Sequence, residues 1–117
     1  LKTLLETNGF QPIMARNGNE GIGLAQKEHP QLILLDVMMP EQGGALTYVD
    51  LKSDPQLRTI PVIILSGVEQ RTFFHYLDMQ NVNRSEKLPQ PAAYIRKPPE
   101  AEHLLAVIRD ILAERIS

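Results

Sequence analysis

Three polar residues stand at the ends of three apolar runs. Asp36 follows Leu32, Ile33, Leu34 and Leu35; Ser66 follows Val62, Ile63, Ile64 and Leu65; Lys97 closes "AAYIRK" (92–97). Taken singly, each has a plain reading. An acid at a strand end is a common turn or cap residue. A serine before Gly67 caps the next helix. A lysine before Pro98 is a solvated loop charge. Taken jointly they are a set. Neighbouring strands lie about 5 Å apart, so three adjacent strand ends bring the three side chains into one small volume. A carboxylate there can attack a phosphoryl group. A hydroxyl and an ammonium beside it can hold the phosphoryl oxygens.

The elements that must position this set alternate between strand and helix. The opening "LKTLLETNGF" reads as the last turns of a helix ended by Gly9, which implies that residues precede Leu1. "QPIMAR" (11–16) is a short strand candidate. "NEGIGLAQKEH" (19–29) is a helix closed by Pro30, with Ile22, Leu24 and Ala25 on its apolar side. "QLILLD" (31–36) and "IPVIILS" (60–66) are continuous apolar runs, the pattern of strands buried on both faces of a parallel sheet. Helices are expected over 43–54 and 68–80, a last short strand over 92–97 and a final helix over 100–117. That helix carries the stripe Leu104, Val107, Ile108, Ile111 and Leu112. Strand and helix alternating at this spacing argue an α/β fold with a doubly wound parallel sheet, whose sites lie beyond the carboxyl ends of the strands.

Composition narrows the function. The chain has 117 residues, 43% of them hydrophobic and 22% charged, the mixture of one soluble globular domain. Net charge is −2 with the basic residues scattered, which leaves no nucleic-acid footprint. There is no cysteine, hence no disulfide framework or thiolate metal site, as suits a cytoplasmic protein. No apolar run is long enough to cross a membrane. His29, His75 and His103 have no metal-ligand spacing, and Asp50, Lys52, Asp54 and Arg58 read as a solvated face. Phe73, Phe74 and Tyr76 read as helix packing.

The motifs "LLDVMMP" with Gly44 eight positions after the acid, "VIILSG" and "YIRKP" occur in order, each at a strand end. In these the chain resembles the receiver domain of two-component response regulators, a flavodoxin-like fold, from Leu1 to the final helix. The resemblance implies that Asp36 accepts phosphate from a histidine kinase or phosphotransfer protein. It implies that Ser66 and Lys97 bind the phosphoryl oxygens, and that Ser66 and Tyr94 form the switch. It implies Mg²⁺ held by Asp36 and the Met38 carbonyl, and a Lys97–Pro98 bond that is commonly cis. Pro40 and Gly44 then shape the loop after Asp36. A partner surface is implied on the elements at 69–80, 92–97 and 100–117, which would also serve a homodimer. No enzyme activity is implied beyond phosphotransfer to and hydrolysis from Asp36.

Three departures stand out. The family's first strand, with the two acids that complete the Mg²⁺ site, would lie upstream of Leu1, so the domain over 1–117 is expected to be incomplete at its amino end, with the first strand and part of the first helix missing. The interval from Ser66 to Lys97 is longer than usual, and the excess falls in "NVNRSEKLPQP" (81–91), polar and bearing Pro89 and Pro91. Gly43 stands where the family often has Asp. Two other readings compete. A haloacid dehalogenase would need a second acid where Met38 stands, and a thioether transfers no proton. A phosphate-independent interaction module of the same fold would follow if the acidic pair were lacking altogether.

Overall fold

The computed structural model of the chain describes residues 1–15, 17–37, 44–67 and 69–116. Among the described residues three strands form one parallel sheet in the order β1 (Ile33–Val37), β2 (Val62–Ser66), β3 (Ala93–Arg96). The central strand, Val62-Ile63-Ile64-Leu65-Ser66, is wholly buried because strands flank it on both sides and helices cover both faces. Its alternate residues feed two cores. Val62 and Ile64 join Ala25 of α2 (Gly18–Glu28), Tyr48, Val49 and Leu51 of α3 (Gly44–Ser53), and Phe73 and Leu77 of α4 (Gln70–Asn81). Ile63 and Leu65 join Ile95 and the Leu104 and Ile108 stripe of α5 (Ala101–Ile116), with Leu5 of α1 (Lys2–Thr7) and Phe10 packed alongside. The expected doubly wound α/β sheet is therefore borne out, with helices on both faces.

Local chemistry sets the element ends. The Asn17 side chain accepts the Glu20 N–H at 2.9 Å and caps α2. His29 ends it in the left-handed region, φ 48°, before Pro30. Gly9 follows α1 at φ 88°, a conformation that glycine adopts without a Cβ penalty. The Gln26 amide bonds to Asp54 at 3.0 Å and ties α2 to the residue after α3. That bond, with the Gln56 N–H, holds the Asp54 carboxyl below its ordinary value. No helix among the described residues is long and apolar enough to cross a membrane.

Four expectations need correction. The strand over 11–16 is not formed. Residues 11–15 join no ladder among the described residues, and Arg16 lies outside them. Pro12 has no N–H to give, and Ile13 and Met14 are 52% and 56% exposed, so neither hydrogen bonding nor burial holds the segment extended against β1. β1 is only partly buried: Ile33 and Leu35 pack against the first core and Leu34 against the second, Val37 is fully enclosed, and Asp36 is exposed. Lys52 is not on a solvated face; it is buried (5% exposed) and donates to the carbonyls of Ile60 at 2.7 Å and Arg58 at 3.1 Å. The segment 81–91 is not a bare linker. Its Leu88 enters the first core, the Leu88 N–H bonds to the Asn81 side chain at 2.9 Å, and the Pro89 carbonyl accepts the Tyr48 hydroxyl at 2.6 Å. The expectations for Met38, Met39, Pro40, Gly43, Val68 and Ser117 fall outside the described residues.

Candidate functional site

The strand register places the candidate residues at the carboxyl end of the sheet. Asp36 pairs with Leu65 and Leu65 with Ile95; one step on, Val37 pairs with Ser66 and Ser66 with Arg96. The Lys97 N–H then donates to the Ser66 carbonyl at 2.8 Å, which carries β3 one residue past its ladder and fixes where the Lys97 side chain starts. Because side chains alternate along a strand, Asp36 follows Leu34 onto the α5 face and Lys97 follows Ile95 onto the same face. The two meet there, with Lys97 Nζ 2.5 Å from Asp36 Oδ2. The side chains are 55% exposed for Asp36 and 32% for Lys97, so the pair opens to solvent and contributes at most about 1 kcal/mol to stability. Its value is positional. A carboxylate that solvent can reach is fixed beside one cation.

Ser66 lies on the opposite face. It follows Ile64 in the alternation, on the face of the first core, and is fully buried. Tyr94 pairs with Ile64 and so shares that face, one register step back on the neighbouring strand. Its ring packs on Phe73 at 5.6 Å and Phe74 at 6.1 Å between centroids. Phe73 in turn meets Tyr48 edge-on at 5.8 Å. The sequence set is thus brought together as two pairs at one end of the sheet: Asp36 with Lys97 on one side, Ser66 above Tyr94 on the other. The Lys97–Pro98 bond is cis.

Sequence reasoning missed the ring chain from Tyr48 through Phe73 to Tyr94. Phe73 was legible as helix packing, but Tyr48 carried no signal beyond an apolar helix position. Burial pushes the Tyr48 phenol above its ordinary value of 10.0, and the Pro89 carbonyl takes its proton as an acceptor.

The donor set was tested for Mg²⁺. A hard divalent cation takes six or more oxygens, several of them carboxylate. Among the described residues no group of three or more acidic or histidine side chains could hold a metal ion. Asp36 is the described carboxylate at this end, and Lys97 already pairs with it. The described residues therefore do not by themselves fit Mg²⁺.

A family model for the response regulator receiver domain matches residues 1–109. Protein PilH of Pseudomonas aeruginosa is 33% identical over 113 residues, 97% of this chain and 86% of that protein. The polar-differentiation response regulator DivK of Brucella ovis is 31% identical over 115 residues, with 97% of this chain and 85% of that protein covered. Among solved structures, the signal receiver domain of a signal transduction histidine kinase from Syntrophus aciditrophicus superposes with a TM-score of 0.76 at 32% identity, covering 97% of this chain and 79% of that one. A response regulator from Desulfuromonas acetoxidans gives 0.71 at 30% identity, covering 95% and 83%.

Proposed function

The chain belongs to the response regulator receiver domain family, and from that premise we propose that Asp36 is its phosphoacceptor. Receiver domains are signalling modules of two-component systems. The single observation that carries the assignment is the Asp36–Lys97 pair at the carboxyl end of the sheet. An Asp36 carboxylate oxygen attacks the phosphorus of a phosphohistidine on a histidine kinase or phosphotransfer protein. A P–O bond forms, the P–N bond breaks, and the histidine leaves with its electron pair. The Lys97 ammonium, now paired with Asp36 Oδ2, turns to the incoming phosphoryl oxygens and offsets their charge.

Ser66 supplies the response in this reading. Its hydroxyl turns toward the phosphoryl group, and Tyr94, on the same face, moves into the space released. Tyr94 packs on Phe73 and Phe74 of α4, so the change reaches the α4, β3 and α5 surface, where a partner or a second copy docks. Met79 and Val82, 60% and 66% exposed at the end of α4, are apolar groups available to such a partner.

The test is phosphate uptake from acetyl phosphate, followed by intact mass, with and without Mg²⁺. Wild type gains one phosphoryl group and Asp36→Asn gains none. Equal uptake by the Asn variant would move the acceptor elsewhere. One observation favours a second reading, a phosphate-independent interaction module: no acidic cluster accompanies Asp36 among the described residues. Partner binding that ignores Asp36→Asn, in a protein that takes up no phosphate, would select it.

A further inference from the structure

A polar cavity lies at the end of the sheet away from Asp36. It is bounded by the end of α3, by the turn that leads into β2 and by the segment after α4, with Lys52, Ser53, Arg58, Arg84, Glu86, Lys87 and Leu88 around it. Connections from a helix into a parallel strand lie at the amino ends of the strands, so this cavity is on the side of the sheet away from Asp36 and Lys97. Its volume is about 120 Å³. That is room for a small anion such as a single phosphate group.

The charges around it do not balance. Four cations, Lys52, Arg58, Arg84 and Lys87, face one carboxylate, Glu86, in a chain whose net charge is −2. Glu86 is committed to Arg58, at 2.6 Å. Arg84 gives its Nε to the Gln80 carbonyl at 3.2 Å, and Lys87 gives its Nζ to the Asn81 carbonyl at 2.5 Å. Among the described residues neither has a carboxylate within ion-pair distance. Lys52 is 5% exposed and fixed by the carbonyls of Ile60 and Arg58 and by the Tyr48 ring, 5.8 Å from its Nζ. A buried cation held in one place is a preorganised component of an anion site, because its ordering is complete before the anion arrives. The Arg84 guanidinium adds planar paired donors that match phosphate oxygens.

We propose that this cavity binds a phosphate group, free or as the head of a small phosphomonoester, at a site separate from Asp36. The bound group takes its oxygens to Arg84 and Lys87, beside the buried charge of Lys52, and shares Arg58 with Glu86. Residues 84–88 belong to the polar segment between α4 and β3, so the site is built in part from the stretch 81–91.

Titration calorimetry of the 117-residue chain at fixed ionic strength tests the proposal, first with inorganic phosphate and then with glycerol 3-phosphate. The expected result is one saturable site with a Kd of about 1 mM or tighter. Saturation by inorganic phosphate alone assigns the free ion; saturation by both assigns the phosphate head. The double variant Arg84→Ala/Lys87→Ala should bind at least about tenfold more weakly, with Arg84→Lys between it and wild type. Lys97→Ala should bind as wild type does. Circular dichroism verifies that each variant is folded. Unchanged affinity in the double variant overturns the proposal. So does loss of binding in Lys97→Ala, which would place the anion at Asp36, or a response no larger than that to chloride.

Discussion

At the scale of residues, the strand register divides the polar groups at the carboxyl end of the sheet between its two faces, Asp36 and Lys97 on one and Ser66 on the other. Asp36, Ser66 and Lys97 each end an apolar run, and a polar side chain there is visible in one dimension. Their division between two faces was not visible, because it depends on the register Val37–Ser66–Arg96, which pairs strands far apart in sequence. Lys52 was illegible for a related reason. In sequence it stands with Asp50, Asp54 and Arg58 in one charged stretch, and the carbonyls that satisfy it come from a turn formed several residues later. Tyr48 gives a direct test of a buried polar group. Its hydroxyl is hydrogen-bonded to the Pro89 carbonyl, so Tyr48→Phe should cost about 1 kcal/mol at neutral pH in denaturant titration. The sign changes in alkali. The folded phenol is held above its ordinary value of 10.0, so the unfolded chain ionises first. The stability Tyr48 contributes is complete below pH 10.0 and is lost as pH rises beyond it. The wild-type curve should fall more steeply there than that of the Phe variant. Parallel curves above pH 10.0 would show that the phenol is not buried as described.

At the scale of elements, periodicity and punctuation located every helix and the three strands to within about two residues, the usual ambiguity at element ends. The strand over 11–16 failed because strand propensity is realised only against a partner. The segment 81–91 misled in the opposite direction. Its prolines and polar residues read as a linker on the partner surface, yet one residue, Leu88, is 7% exposed and joins the core with Tyr48 and Leu77. A single apolar residue in a polar stretch carries no period, so no pattern marks it. Leu88→Ala should remove about 2–4 kcal/mol in urea unfolding. Asp36 should still take up phosphate in the fraction that remains folded, because Leu88 and Asp36 stand at opposite ends of the sheet. A loss under about 0.5 kcal/mol, the range of ordinary surface substitutions, would mean that the segment does not dock.

At the scale of the whole molecule, the sheet's two ends divide the polar groups, with the Asp36–Lys97 pair at one and the cationic cavity at the other. The donor count at the Asp36 end makes a prediction for the chain as it stands: calorimetry should find Mg²⁺ held no tighter than about 1 mM, and tight binding would require oxygens from residues outside those described. The unequal flanking of the strands has its own consequence, in time rather than in energy. The Ile33 N–H donates to the Pro61 carbonyl at 3.0 Å, so in a parallel ladder the amides of Ile33, Leu35 and Val37 point toward β2. Those of Leu34 and Asp36 point the other way, to an edge that no described strand occupies. In deuterated water the edge strand should therefore report an alternating pattern. Leu34 and Asp36 should exchange early, through local openings, and Leu35 and Ile64 should exchange last, only when the sheet as a whole comes apart. The same alternation puts the backbone of Asp36 itself among the first to exchange, so its protection factor is a direct gauge of whether anything has come to lie along that edge.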